Sequence, residues 1–398
     1  MRILRPGYLQ KLIQWKDKDL IKVVTGVRRC GKSVLLFDLF YEYLLQQGVV
    51  AEHIIRINLE NLDQIENRNR LNLYKTINNF RQDAGKYYVF LDEIQYVDEF
   101  EDLLNTLRNE GCDVYVTGSN SKLLSRDIST SLRGRMIEIR VHTLSFAEFY
   151  AYRGGDTRKA FFEYMLYGGF PAAVLENNLE NKSNYLEMLE RTVAVKDIIE
   201  RYKIRHESVF TAVYDFLCSN IGSLVSAKKI ADTLRSNGFR SVSSDTVGNY
   251  LEYLCNAFLF TKVYRYDVKG KEYLKTLNKY YISDLGLRNV HLNYRQVEPT
   301  HALENLVYQE LLYRGWRVDI GKNNQKEIDF VVTKGTEKMY IQVAYSIVDP
   351  EKKEQELSSF KGLDDGFQKM VLTMDDDPFN QLAHGYVKKN VIDWLLNK

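Results

Sequence analysis

The first 120 residues alternate short unbroken apolar runs with longer segments of helical period. Ile21–Thr25 is β-branched and stops at Gly26. Residues 34–47 repeat apolar positions three and four apart and stop at Gly48. A second apolar run follows at Ile54–Asn58, a helical period over 71–84, and further runs at 87–91 and 114–117. Strands without polar alternation, separated by helices, predict a parallel sheet covered on both faces.

The pattern changes near residue 144. From there to 221 it is almost wholly helical, broken once at Gly168-Gly169-Phe170-Pro171. Helices are predicted at 227–236 and 243–255. Strands at 258–266 and 273–282 flank Lys269-Gly270-Lys271. Two helices and a two-stranded wing outline a winged helix-turn-helix. Next come an amphipathic helix over 301–315, strands at 317–320, 328–333 and 339–345, a helix over 352–363, a strand at 369–373 and a final helix over 383–397. The expected domains are 1–143, 144–222, 223–290 and 291–398.

Composition narrows the setting. Hydrophobic residues make up 45% and charged residues 27% of the 398, ordinary for a soluble globular protein. The net charge of +2 gives no global case for nucleic-acid binding, so such a claim needs a local patch. Cys30, Cys112, Cys218 and Cys255 are scattered without metal-ligand spacing, which suits a reducing cytoplasm. The first residues carry no apolar leader core, and no run approaches a membrane span.

Gly26, Val27, Arg28, Arg29, Cys30, Gly31, Lys32 and Ser33 match G-x-x-x-x-G-K-S between a predicted strand and a predicted helix. Glycines let the backbone curl so that its N–H groups face phosphate oxygens, and the helix N-terminus adds its dipole. Lys32 is expected to neutralise the β and γ phosphates of ATP, and Ser33 to ligate Mg²⁺. Asp92 and Glu93 follow an apolar run, at the strand end where open α/β sheets bind ligands. Asp92 is expected in the Mg²⁺ shell and Glu93 as general base toward water. Ser119 or Asn120, after the 114–117 run, is a candidate γ-phosphate sensor; the alternative is a helix N-cap. Thr117 is a weaker candidate for the same role. Arg135, and after it Arg133, is a candidate for stabilising transition-state charge, in cis or from a neighbouring subunit. Arg28 and Arg29 face either the nucleotide, solvent or a partner.

These runs, in this order, resemble a prokaryotic AAA+ ATPase family: Gly-Val-Arg-Arg-Cys-Gly-Lys-Ser, Phe-Leu-Asp-Glu-Ile-Gln, Thr-Gly-Ser-Asn-Ser, Leu-Arg-Gly-Arg and Leu-Ser-Phe-Ala-Glu-Phe. Tyr-Gly-Gly-Phe-Pro at 167–171, Lys-Asp-Ile at 196–198 and Tyr-Ile-Ser-Asp-Leu-Gly at 281–286 fit the same family. The resemblance implies an α/β chain: a P-loop AAA+ parallel-sheet core, a helical lid, a winged helix and a C-terminal restriction-endonuclease-like domain. It places Ser119 or Asn120 at the first sensor and Arg135 at the arginine-finger position.

Such nucleases carry a helix acid, a strand Asp and then E-x-K on the next strand, binding Mg²⁺ and positioning water. Glu304 and Asp329 match the first two. Gln342 and Ala344 stand where the acid and lysine belong, so a degenerate nuclease fold is expected, with an active nuclease as the alternative. Lys322 or Lys326 are the candidate replacements for the missing lysine. Residues 224–290 hold 11 Lys or Arg against 6 Asp or Glu, a local excess that makes DNA a candidate partner through the winged helix. Packing on the ATPase as a structural module is the other expectation for the winged helix; a homo-oligomer or protein partner is a further candidate for the chain, and a membrane partner is not expected. The expected activity is Mg²⁺-dependent ATP hydrolysis, with a slow nucleotide-controlled switch as alternative.

Overall fold

The computed structural model describes residues 2–120, 132, 134–295, 299–377 and 381–397, without the side chains of 193, 194, 275 and 276. The chain divides into two compact units: Met1–His142 with Asn256–Phe258, and Thr143–Cys255 with Leu259–Lys398. Among the described residues no helix is long and apolar enough to cross a membrane.

The first unit is built on β1 (Ile21–Thr25), β2 (Ile54–Asn58), β3 (Tyr88–Asp92), β4 (Asp113–Gly118) and β5 (Met136–Arg140). Their order is β2-β3-β4-β1-β5, and every pair is parallel. Successive side chains of β3 serve opposite faces. Val89 and Leu91 join Leu73, Ile77, Leu103 and Leu107, from helices Arg70–Phe80 and Phe100–Asn109, in one buried cluster. Phe90 points the other way, its ring 5.7 Å from Phe40 and 5.3 Å from Tyr115. Burying such a ring stabilises by roughly 1.5–3 kcal/mol. Both faces are therefore covered, which is why β3 reads as an unbroken apolar run. Strand β5 is a further element. It lies at the sheet edge with Glu138 exposed and Ile139 buried, so its sequence alternates weakly and lacks the signal of the central strands.

The second unit opens with helices Phe146–Arg153, Thr157–Tyr167, Pro171–Leu175 and Leu179–Leu189, then a helical run over 190–202 and helix Glu207–Ser219. Ser145 and Glu148 form a reciprocal capping box at the first of these. Helices Ala227–Ser236 and Ser244–Asn256 lead to the antiparallel hairpin β6 (Phe260–Asp267) and β7 (Glu272–Ile282). After helix Pro299–Tyr313 come β8 (Arg317–Asn323), β9 (Lys326–Lys334), β10 (Glu337–Val343), β11 (Gln368–Thr373) and β12 (Val387–Asn390). The mixed sheet runs β12-β11-β10-β9-β8-β6-β7, and β6 pairs in parallel with β8. One sheet thus draws strands from both sides of residue 290. Residues 383–397 are not the single helix expected. His384 and Gly385 take left-handed backbone, β12 follows, and the short helix Val391–Leu395 starts where Asn390 accepts the Ile392 and Asp393 N–H groups.

Candidate functional site

β1, β3 and β4 end together at Thr25, Asp92 and Gly118, at the carboxyl edge where a parallel sheet offers a crevice. The chain leaves β1 through Gly26, with φ +146. A Cβ there would sit 2.1 Å from the Val141 carbonyl oxygen, so only glycine lets the loop pass this close to the exit of β5. Gly31, with φ +98, then turns the chain into a continuous helical run over 32–46 whose middle, Leu35–Phe40, is π-helical.

The loop is held from behind. The buried Arg5 guanidinium donates to the Cys30 carbonyl at 3.1 Å and the His142 carbonyl at 2.9 Å. The Cys30 thiol donates to the Val141 carbonyl at 3.4 Å. Lys32 is almost fully buried, its ammonium donating to the carbonyls of Gly26 and Val27 at 3.1 and 3.2 Å. Arg28 pairs with Glu60, and Arg29 is exposed with left-handed backbone, φ +65. Arg5 carried no signal in the sequence; its role exists only because residues 141–142 return beside the loop.

Ser33 Oγ donates toward the Asp92 carboxylate at 2.9 and 3.0 Å from its two oxygens. Thr117, at the end of β4 between β1 and β3, links both acids. Its hydroxyl donates to Asp92 Oδ1 at 2.5 Å and accepts the Glu93 N–H at 2.9 Å. Glu93 sits in left-handed backbone, φ +54, and its carboxylate accepts from Ser119 Oγ at 3.2 Å and from Gln95. Burial pushes the Asp92 carboxyl above its usual range; the Thr117 and Ser33 hydroxyls oppose this, and the charge of Glu93 adds to it. Two buried acids side by side favour a nearby cation. Ser33 and Asp92 together offer the hard oxygen donors that Mg²⁺ takes, and Lys32 lies inside the loop as a phosphate-binding lysine would. The residues present therefore fit a nucleotide with Mg²⁺.

Lys32, Ser33, Asp92, Glu93 and Ser119 are thus brought together, with Asn120 buried next to them in sequence. Thr117, the weaker candidate, proves to be the residue that joins the acids. Arg135 is elsewhere. It precedes β5, whose Met136 is in register with Ile21 while Arg140 is in register with Thr25. Arg135 therefore lies at the amino edge of the sheet, about 16 Å along the strands from the loop, where it donates to Asn105 at 3.3 Å. Arg133 lies outside the described residues.

In the second unit Glu304, Asp329 and Gln342 do converge, but a lysine from another element closes the site. Lys279 of β7 reaches Glu304 and Glu327 at 2.8 Å each and Asp329 at 4.0 Å. Tyr281 donates to Glu304 at 2.5 Å. Gln342 is engaged with Glu356 at 2.8 Å and with the Asp329 N–H at 3.3 Å. Burial disfavours the Lys279 charge, but Glu304, Asp329 and Glu327 outweigh it and hold the ammonium protonated. Of the candidate replacements, Lys322 pairs with Asp267 and Lys326 is exposed. Among the described residues no group of three or more His, Cys, Asp or Glu side chains is placed to hold a metal ion.

The second helix of the predicted winged helix, Ser244–Asn256, turns its rings onto neighbouring helices. Tyr250 is buried edge-on to Phe210, and Tyr253 stacks on Tyr202 at 3.8 Å. Helix Ser244–Asn256 contains no Lys or Arg and exposes Asp245 and Glu252.

Residues 18–150 match the model of an AAA domain, and residues 158–298 that of a domain of unknown function (DUF8612). An uncharacterized protein of Haemophilus influenzae is 38% identical over 99% of this chain and 98% of its own length. One from Methanocaldococcus jannaschii is 29% identical over 91% of this chain and 84% of its own. The structure of an Aeropyrum pernix ORC1 protein in complex with DNA overlaps 74% of this chain and 93% of its own, at 14% identity and a TM-score of 0.30. That overlap is too loose to inform any residue of the site.

Proposed function

We propose that this chain, which belongs to the family of AAA-domain proteins that includes its Haemophilus influenzae relative, binds ATP with Mg²⁺ at residues 26–33 and hydrolyses it. The observation that carries the reading is the linked set Ser33–Asp92–Thr117–Glu93 at the carboxyl edge of one sheet. Lys32 balances the charge of the β and γ phosphates. Ser33 and Asp92 would hold the metal ion, which would neutralise phosphate charge when bound. Glu93 accepts the proton of the attacking water. Ser119, in contact with Glu93, orients that carboxylate, and Asn120 stands beside it as the second polar group near the γ-phosphate. Arg135 is too far from its own loop to act in cis, so a role for its charge requires the site of a second copy.

The restriction-endonuclease-like reading of 291–398 is kept as a fold without nuclease chemistry. Lys279 supplies, from within the chain, the positive charge that Glu304 and Asp329 would otherwise take from a metal ion. Nucleotide state would govern how this region and the β6–β7 hairpin are presented to partners.

Phosphate release from ATP with Mg²⁺ tests the assignment. Wild type should turn over. Glu93→Gln should lose turnover by about 100-fold or more while still binding a fluorescent ATP analogue. Lys32→Ala should lose both. If wild type binds the analogue and releases no phosphate, hydrolysis is wrong and a nucleotide-controlled switch replaces it. Equal turnover in wild type and Glu93→Gln would remove Glu93 as the base.

A further inference from the structure

We propose that the tip of the β6–β7 hairpin and the glycine turns at 361–367 and 383–386 form a binding site for single-stranded nucleic acid. A cavity of about 600 Å³ opens between the two turns, lined by Lys361, Phe367, Lys369, His384 and Tyr386 among others. That is room for one small ligand or one nucleotide unit of a strand. Gly366 and Gly385 take left-handed backbone with φ +73 and +74, and a Cβ on either would meet only open space, so the mouth is not blocked.

The hairpin tip borders this cavity. The Lys269 ammonium lies 3.6 Å from where a Cβ on Gly362 would be. Lys338 of β10 stands over the rings of Tyr340, Phe367 and Tyr266, at 4.8, 5.1 and 6.0 Å. Lys361 and Lys369 are partly neutralised by Glu354 and Asp365. Lys269, Lys271 and Lys338 form no ion pair among the described residues. Partial burial pushes the Lys338 ammonium below its usual range; Asp365 opposes this, and the like charges of Lys271 and Lys369 add to it. Asp364 also lines the cavity, so the charge open to a polyanion is that of Lys269, Lys271 and Lys338.

Lysines interleaved with an exposed ring fit a single strand better than a duplex. Phosphates meet the ammonium groups, and an unstacked base lies on Phe367, which is 38% exposed. A duplex keeps its base faces stacked, out of reach of that ring, and helix Ser244–Asn256 carries no basic residue to meet its groove. The inference does not rest on ATP hydrolysis.

Fluorescence anisotropy with the full chain tests it, using a labelled 20-residue deoxythymidine strand and a 20-base-pair duplex over a range of NaCl. Three unpaired lysines predict a slope of log K against log salt of about −2. The double variant Lys269→Glu/Lys271→Glu should weaken the single strand by at least tenfold. Phe367→Ala should weaken it about tenfold with the slope unchanged. Lys228→Glu/Lys229→Glu, exposed on helix Ala227–Ser236, is the control for net charge and should leave binding within twofold. Loss of binding in the control as large as in the hairpin variant would overturn the proposal, as would no salt-dependent binding by wild type. A duplex bound as tightly as the single strand would overturn the choice of ligand. Phosphate release measured without nucleic acid should be the same in all these variants, so failure here leaves the ATPase reading standing.

Discussion

Thr117 shows how much one hydroxyl can hold. It is wholly buried and ties the Asp92 carboxylate to the Glu93 backbone. Thr117→Val keeps the shape and removes both bonds, orphaning the buried Glu93 N–H at a cost of about 1–3 kcal/mol and leaving Asp92 Oδ1 with Ser33 alone. We expect phosphate release to fall about 10- to 100-fold and Thr117→Ser to restore most of it. A Thr117→Val chain with wild-type turnover would remove Thr117 from the site.

His291 is a second single-residue case. Its ring nitrogens meet Glu190 at 2.9 Å and Asp215 at 2.5 Å, with Tyr214 packed against the ring. Burial opposes the charge, but the two carboxylates outweigh it and raise the imidazole to about 9. A folded-state value above the unfolded one near 6.5 means stabilisation fully present below pH 6.5 and lost as pH rises through 9. The gain is on the order of 2–3 kcal/mol at most. Urea unfolding of wild type and His291→Gln should differ most at pH 6 and little at pH 10. A difference constant with pH would mean the ring acts by packing alone.

Among elements, the turn at Gly168-Gly169 and the start of helix Leu285–His291 explain each other. Asp284 is buried and accepts the N–H of Gly169 at 2.8 Å and of Gly286 at 2.9 Å. Two motifs more than a hundred residues apart are thus two halves of one clamp. A Cβ on Gly168, where φ is +71, would lie 1.8 Å from Asp284 Oδ1. Gly168→Ala should destabilise by roughly 2–4 kcal/mol. Gly155→Ala, with φ +81 and open space around it, should cost only about 1 kcal/mol. Equal losses in thermal melts of the two would show that backbone strain, not the clamp, sets the cost. The elements themselves were legible to different degrees. β1 stands where its β-branched run put it, because a strand buried on both faces has no exposed positions to blur its ends. β2, an edge strand with Arg56 exposed, is still marked by Ile54, Ile55 and Ile57, whereas the edge strands β5 and β12 lack such a run: Glu138 interrupts β5, and β12 is Val-Lys-Lys-Asn.

At the scale of the molecule, the position of Arg135 carries a prediction about assembly. Register fixes it at the amino edge of β5, with its own loop at the opposite edge. Arg135→Ala and Lys32→Ala should each be inactive alone. Mixed in equal amounts, they should regain a measurable fraction of wild-type phosphate release, because a mixed assembly contains an intact loop facing an intact arginine. No recovery on mixing, together with full activity of Arg135→Ala alone, would end the role in trans.

The sequence by itself determined the glycine loop at 26–33, the acid pair and the central parallel strands. These are local: a glycine turn, a helix start and an unbroken apolar run each depend on residues a few positions apart. What only the tertiary structure decided is where separated segments meet. Arg5 behind the loop, Thr117 between the acids, Lys279 among Glu304, Glu327 and Asp329, and the hairpin tip beside Gly362 all depend on strand order and register. A side chain's partner across a sheet is set by which strands pair and in which phase, and the residues themselves carry no record of that choice.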